Sequence, residues 1–322
     1  GNIHIALVVD ENDKLIGTIT DGDVRRGILK GYSLNDNCKK IMKKDFRSVS
    51  ISSQKNAFNI MEMEELKQIP VLDENGKIAD VIVKNNQLNN QCSDLPVIIM
   101  AGGKGKRMQP FTTVLPKPLI PVQEKPIIEH IIEKFLNFGL NEFYITVNYK
   151  SRILKAYFEE AKKNYKIKFI EEKKPLGTAG SLRLLQNKIK KPFFVTNCDI
   201  ILDVNFFNFY NFHKENKNDI SFIASTKNQI VPYGICHLDK NGEFDKIKEK
   251  HSSKFLVNAG LYLLQPNLTK IIPKKVSYHM TQLINDAKIR NKKIGIFPVF
   301  EDSWLDVGHW SEYKKTIEKI KI

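Results

Sequence analysis

The sequence predicts an α/β protein in two parts. Residues 91–322 are expected to form a mostly parallel sheet with helices on both faces, and residues 1–90 a smaller α+β element. Three observations carry this. From Leu95 onward, short apolar runs alternate with segments of helical period, as βαβ units require. The first run, Val97 to Met100, empties into the Gly- and Lys-rich loop Ala101-Gly-Gly-Lys-Gly-Lys-Arg107, as at the carboxyl edge of a parallel sheet. Residues 1–90 contain one pattern twice, at a constant offset of 63.

The repeat comes first. Val8-Val9-Asp10-Glu11-Asn12-Asp13-Lys14-Leu15 matches Val71-Leu72-Asp73-Glu74-Asn75-Gly76-Lys77-Ile78. Each copy reads as a β run, a D-E-N turn and a second β run, at 15–20 and 78–83. Between them, Ala57, Ile60 and Met61 recur at helical spacing within 53–63. The copies, about 1–44 and 45–90, resemble the paired CBS module. That resemblance implies an adenine nucleotide bound between the repeats, with Thr20 and Asp23 of Thr20-Asp21-Gly22-Asp23 holding the ribose. The second copy reads Val83-Lys84-Asn85-Asn86 at that place and has lost the polar handle. Dimerisation without a ligand is the other reading, and a homodimer is expected. The chain opens on a strand without Met, as if partway through the first repeat. Polar residues 85–94 read as a linker.

In the loop after Met100, Gly102, Gly103 and Gly105 can turn backbone N–H groups towards an anion, with no Cβ in the way. Lys104, Lys106, Arg107 and Lys117 add positive charge. The spacing fits neither the Walker P-loop nor the dinucleotide fingerprint G-x-G-x-x-G. The pattern G-G-x-G-x-R-M-x-P-x-T-x-x-x-P-K-P-L-x-P-V resembles the signature of the sugar-nucleotide-forming nucleotidyltransferases. This implies a Rossmann-like, GT-A-like fold and an enzyme that joins a nucleoside triphosphate to a sugar 1-phosphate. The implied nucleotide contacts are Ala101, Gly102, Gly103, Gly105 and Lys106.

The next elements follow in order. Apolar residues from Ile127 to Leu136 predict an amphipathic helix ending near Gly139. A strand at 143–147, a helix at 152–163 and a strand at 166–170 come after it. Pro175-Leu-Gly-Thr-Ala-Gly180 then reads as a tight turn into a helix at 181–185, where small residues let a purine lie on the backbone and the helix N-terminus adds its dipole. The resemblance places Gly177, Thr178 and Ala179 at the base. Phe193 to Asp199 reads as a buried strand ending in a carboxylate, suited to Mg²⁺ beside a triphosphate. The family motif there is usually Gly-Asp, and here it is Cys198-Asp199. Asp306, in Trp304-Leu-Asp-Val-Gly-His-Trp310, matches W-x-D-[VI]-G and would be the second metal carboxylate. On the sugar side the resemblance implies Tyr233 and Gly234, Glu249 and Lys250, and Asn258 with Gly260 in Asn258-Ala-Gly260. His251 stands where Pro is expected after Lys250, and a solvated charge run is the alternative for residues 246–250.

The catalytic set implied is Arg107, Lys117, Asp199 and Asp306. A sugar phosphate oxygen would attack the α-phosphorus in line, with no base needed because the nucleophile is already an anion. The repeat pair together with Thr196-Asn-Cys-Asp199 resembles most the bacterial guanylyltransferases of surface-sugar pathways. Among these are the CBS-bearing glucosamine-1-phosphate guanylyltransferases of legionaminic acid synthesis, which serve flagellin glycosylation. Heptose or mannose 1-phosphate, or dTTP or UTP, are alternatives, and a catalytically silent nucleotide sensor is the alternative of another class.

The net charge is +15, but the 51 Lys and Arg are spread along the chain rather than gathered in one stripe, so nucleic acid is not an expected partner. The positive field would instead draw in phosphorylated substrates. No apolar run reaches the ~18 residues of a membrane span, and the start lacks a signal-peptide pattern. Four distant cysteines (Cys38, Cys92, Cys198 and Cys236) read as reduced thiols, and the expected compartment is the cytoplasm. No metal site of zinc spacing is visible, and no hexapeptide β-helix follows the catalytic part.

Overall fold

The computed structural model describes residues 5–33, 35–57, 60–61, 64, 66–83, 94–160, 164–230, 232–249 and 252–319. The chain divides into two compact units, 1–89 and 90–322. The proposed linker lies almost wholly outside the described residues.

In the first unit, strands β1 (Ile5–Val9) and β2 (Leu15–Thr20) form an antiparallel hairpin followed by helix α1 (Asp21–Leu29). Strand β3 (Val49–Ser50) runs parallel to β4 (Gln68–Leu72), which pairs antiparallel with β5 (Ile78–Val83). The sequence repeat is a structural repeat down to single bonds. The Asp10 carboxylate accepts the Asn12 and Lys14 N–H groups at 2.9 Å, and Asp73 accepts those of Asn75 and Lys77 at 2.9 and 2.8 Å. Both hairpins shift register at the same place, Val8/Val9 and Val71/Leu72. Lys14 and Lys77, equivalent residues, face each other in an antiparallel bridge, so a local two-fold axis passes between the copies. Of the helix expected over 53–63, residues 51–56 form a 3₁₀ helix, and 58–59 and 62–63 lie outside the described residues. Ala57 and Met61 are buried with Val49, Ile69 and Val71.

The second unit is built on a seven-stranded sheet. Strand β6 (Val97–Met100) is central; the two-residue strands β7 (Pro121–Val122) and β8 (Lys125–Pro126) pair with each other apart from it. The other members are β9 (Glu142–Val147), β10 (Lys166–Glu171), β11 (Phe193–Asn197), β13 (Ile220–Ile230), β16 (Ser252–Leu264) and β17 (Ile294–Val299). Their spatial order is β10-β9-β6-β11-β16-β13-β17, and every pairing is parallel except those made by β16. The mostly parallel sheet is thus observed, with one reversed strand that the apolar pattern alone does not reveal. Successive residues alternate between two cores. Val97 and Ile99, with Phe194, Leu261 and Leu263, face the helices Ile127–Leu136 (α2) and Phe206–Glu215. Ile98 and Met100, with Phe193, Val195, Tyr262 and Leu264, face Leu182, Leu185 and the helix Met280–Ile289.

Local signals set the ends. Helix α2 stops where Gly139 takes φ 77° and the Leu140 N–H reaches back to Phe135 O at 3.2 Å. Helix α3 covers Ser151–Glu160, the described part of the helix expected to 163. The order of strand addition reverses between β6 and β11, which run parallel: the chain leaves β6 for β9 and β10 on one side, then returns to β11 on the other. Such a switch point opens a crevice at the strands' carboxyl ends, where Met100 and Asn197 lie side by side.

Candidate active site

The charged groups at this crevice are brought by the segments leaving β6 and β11 and by the short strand β18 (Trp304–Asp306). Strand β12 (Ile200–Leu202) follows β11 at once and pairs antiparallel with β18, setting Ile200 opposite Asp306. The Val307 N–H then bonds the Asp199 carbonyl at 2.9 Å. Two carboxylates 107 positions apart in sequence are thereby fixed side by side by backbone pairing.

Gly308 is the keystone. A methyl group built on its Cα would lie 2.6 Å from Asp199 Oδ2, 2.9 Å from Asp306 Oδ1 and 3.1 Å from Lys117 Nζ. Only a residue without Cβ lets three charged groups meet there. The Gly308 N–H also donates to Asp306 Oδ1 at 2.7 Å, orienting that carboxylate. Lys117, nearly buried, donates to Asp199 Oδ2, while Arg107 Nη2 lies 4.0 Å from the same oxygen. Arg107 Nη1 in turn contacts His309 Nε2. The four residues expected to be catalytic therefore form one cluster with His309 added.

The glycine-rich loop after β6 adjoins this cluster: a Cβ on Gly105 would lie 3.1 Å from Lys117 Cβ. Ala101 is buried, and its N–H bonds Thr146 O and Oγ1 at 3.2 and 3.1 Å. Gly103 is exposed and its missing Cβ faces open space, so an anion can approach the backbone. Gly105, at φ 63°, caps a 3₁₀ turn holding Lys106 and Arg107, and a Cβ there would strike Thr112 at 2.8 Å.

Glu172 was not singled out from sequence, because a Glu-Glu-Lys-Lys run reads as a solvated turn. It is buried at 7 % exposure. Burial pushes its carboxyl above the usual carboxylate range, opposed by hydrogen bonds from Leu176, Ser181 and Thr146. Its Oε1 would lie 2.9 Å from a Cβ on Gly102, and its Oε2 accepts the Leu176 N–H at 2.9 Å. It thereby ties the glycine-rich loop after β6 to the turn at 175–180.

That turn corrects one expectation. It opens a four-residue helix, Gly177–Gly180, before a 3₁₀ helix over Ser181–Leu185. The N–H groups of Ala179 and Gly180 both donate to Tyr278 O at 3.0 Å, and Thr178 Oγ1 accepts the Met280 N–H at 3.0 Å. Two of the turn's donors are thus taken up within the fold, and a helix of four residues carries little dipole. Gly177 holds φ 78° and would carry a Cβ 2.6 Å from Tyr278 O.

The residues expected on the sugar side fall into two groups. Asn258 and Gly260 lie on β16 beside the end of β11: Gly260, at φ 83°, would place a Cβ 2.6 Å from Asn197 Nδ2. Asn258 Oδ1 accepts the Gly260 N–H at 3.0 Å, so the carboxamide also shapes its own strand. Tyr233, Gly234 and Glu249 sit at the base of a hairpin formed by β14 (Ile235–Leu238) and β15 (Phe244–Lys248). A Cβ on Gly234 would meet Glu249 Oε1 at 2.9 Å. Lys250 lies outside the described residues.

Thr20 and Asp23 belong to the other unit and bond each other. Thr20 Oγ1 donates to Asp23 Oδ2 at 2.7 Å, the Thr20 N–H donates to the same oxygen at 2.8 Å, and Arg26 donates to Asp23 Oδ1 at 2.6 Å. This is a capping box at the start of α1. Cys38, Cys198 and Cys236 are unpaired, and burial lifts the Cys198 thiol to about 12. Among the described residues no helix is long and apolar enough to cross a membrane.

The sequence model described as nucleotidyl transferase matches residues 96–321. The chain belongs to the nucleotidyl transferase family. The CBS domain model matches residues 1–30. Curated relatives of this nucleotidyl transferase include the mannose-1-phosphate guanyltransferase of Debaryomyces hansenii, 33% identical over 228 residues, which are 67% of this chain and 62% of that protein. The enzyme of the same name from Saccharomyces cerevisiae is 31% identical over 226 residues, again 67% and 62%. The chain thus spans 62% of the length of these relatives. The fold is also that of HddC from Yersinia pseudotuberculosis, solved with GMP-PN, at TM-score 0.56 and 22% identity over 70% of this chain and 100% of that one.

Proposed function

We propose that this nucleotidyl transferase moves a guanylyl group from GTP to a hexose 1-phosphate and releases pyrophosphate. The observation that supports it most is the meeting of Lys117, Asp199 and Asp306 around the Cα of Gly308, with Arg107 beside Asp199. One phosphate oxygen of the sugar phosphate attacks the α-phosphorus, a P–O bond forms, and the bond to the β-phosphate oxygen breaks. The nucleophile is already an anion, so holding the groups in line and neutralising charge are what the site must do. Arg107, on the exposed side, meets the departing pyrophosphate. Lys117 neutralises charge at the reacting phosphates. The backbone at Gly102 and Gly103 and the side chain of Lys106 bind the triphosphate, and Gly177 to Ala179 offer the base a flat surface. Asn258, Gly260, Tyr233, Gly234, Glu249 and Lys250 would take the sugar phosphate.

The donor set fits Mg²⁺: two converging carboxylates, with no third His, Cys, Asp or Glu grouped with them among the described residues. A hard cation that keeps several waters and shares phosphate oxygens needs no more from protein. Held by Asp199 and Asp306, it would supply further charge neutralisation on the phosphates.

Guanine and the sugar are the finer part of the proposal. The motif resemblance supports glucosamine 1-phosphate, with a GDP-sugar destined for legionaminic acid and flagellin glycosylation. The names of the curated relatives support mannose 1-phosphate instead. Pyrophosphate release, with GTP, ATP, UTP, CTP and dTTP crossed against glucosamine, mannose and heptose 1-phosphates, with and without EDTA, separates these. Turnover with GTP and one hexose 1-phosphate, abolished by EDTA and restored by Mg²⁺, is expected. Silence across the grid from folded protein, together with saturable adenine-nucleotide binding, would replace the proposal with that of a sensor. Nucleotide binding by residues 1–90 and homodimer assembly are proposed on the CBS resemblance alone.

A further inference from the structure

We infer that His309 is a positioning residue, an uncharged acceptor that holds the Arg107 guanidinium in place before substrate arrives; this rests on the transfer reaction proposed above. Arg107 extends from an exposed 3₁₀ turn, and its side chain is 61% exposed. Left alone, such a chain samples many rotamers, and fixing it during the reaction costs side-chain entropy. Here it is fixed in advance. One guanidinium nitrogen contacts His309 Nε2 and another lies 4.0 Å from Asp199 Oδ2. An arginine only donates, so Nε2 must accept, which assigns the remaining ring proton to Nδ1 and leaves the imidazole neutral.

The platform under His309 is braced from both sides. On one side are the Gly308 bond to Asp306 and the Val307 bond to Asp199 O. On the other, Trp310 Nε1 donates to Gln109 O at 2.7 Å, its ring packs on Phe111 at 5.1 Å, and the Tyr313 N–H bonds His309 O at 2.8 Å. Both the arginine's loop and the residue that holds it are therefore anchored on one segment, 306–313. The chemistry of the acceptor matters. A carboxylate at 309 would hold Arg107 in an ion pair that pyrophosphate must break, whereas an imidazole orients it through an acceptor without net charge and yields it to a phosphate, whose anionic oxygens attract the guanidinium by Coulomb forces and can engage it at two points.

The test is a double-mutant cycle on the full chain, read as pyrophosphate release. His309→Phe removes the acceptor and is expected to lower kcat about 10- to 100-fold, the scale of a misplaced reacting group, with KM for the sugar 1-phosphate unchanged. His309→Gln, which restores an acceptor oxygen, is expected to recover most of the loss. In an Arg107→Ala background His309→Phe should change nothing further. An equal loss in both backgrounds, full activity in His309→Phe, or no recovery in His309→Gln would overturn the inference while leaving the transfer reaction standing. Normal turnover in Arg107→Ala would instead overturn the assignment of the site, and this inference with it.

Discussion

Lys117 and Asp199, 82 positions apart in the chain, form an ion pair whose side chains are 9% and 15% exposed. It joins the loop after β6 to the tip of β11 at the crevice floor. Asp199→Asn keeps an acceptor for the lysine but removes the charge, so the fold is expected to survive while turnover falls at least ~100-fold, the scale of losing one electrostatic catalyst. Pyrophosphate release and circular dichroism together check both halves. Lys117→Met leaves Asp199 with only the more distant Arg107 and is expected to cost stability as well as activity.

Gly308→Ala places a methyl group among Asp199, Asp306 and Lys117 at 2.6 to 3.1 Å. Overpacking of this kind costs about 1–3 kcal/mol, and the carboxylates must separate. Loss of turnover with a lowered urea midpoint is expected. Gly103→Ala is the contrast: nothing lies within 4 Å of its Cβ, so stability should be unchanged while KM for the triphosphate rises.

Gly177→Ala meets two penalties at once, a left-handed backbone at φ 78° and a contact of 2.6 Å with Tyr278 O. The backbone term alone costs about 1–2 kcal/mol. A drop in urea midpoint larger than that of Gly308→Ala is expected, because Tyr278 O is backbone and also anchors Ala179 and Gly180.

His213, 1% exposed, lies away from the crevice and bonds Ser221 Oγ at 2.9 Å and Gln265 Nε2 at 3.1 Å. Burial pushes its pKa down to about 4, with Asp219 opposing. The unfolded chain takes up this proton near 6.5 and the folded one does not until about 4. Stability from this residue is therefore complete above pH 6.5 and falls as pH drops from 6.5 towards 4. Urea unfolding across that window should show the slope, and His213→Gln should flatten it relative to wild type.

Much of the fold was legible because strand runs with strong local signals fell where expected: Val97–Met100 is apolar throughout, Phe193–Asn197 opens on Phe-Phe-Val, and 15–20 and 78–83 follow marked turns. The reversed strand β16 was not, since direction leaves no trace in an apolar run. The β14–β15 hairpin was hidden because β15 is exposed at every position and mixes Phe244 and Ile247 with Asp245, Lys246 and Lys248, while β14 is only four residues long. In the site, residues inside recognisable motifs could be singled out, as with Arg107 and Asp306, which the structure brings to the same cluster. Glu172, Gly308 and His309 could not be assigned roles, since each acts through what it touches: a loop's underside, a missing Cβ, an arginine from 202 positions away.

Trp310 and Tyr313 brace the segment that follows the glycine-rich loop, the Tyr313 hydroxyl donating to Pro121 O at 2.6 Å, and this has a consequence for biosynthesis. A ribosome that has made residues 96–300 has already supplied most of the sheet, yet neither Asp306 nor the anchors of Gln109 and Pro121 exist. The nascent domain can collapse around β6 and β11, but its charged centre closes only when the segment through residue 313 leaves the exit tunnel. On the reading proposed above, the charged centre forms late within residues 96–313, and a copy stopped short of Asp306 would turn over no nucleotide.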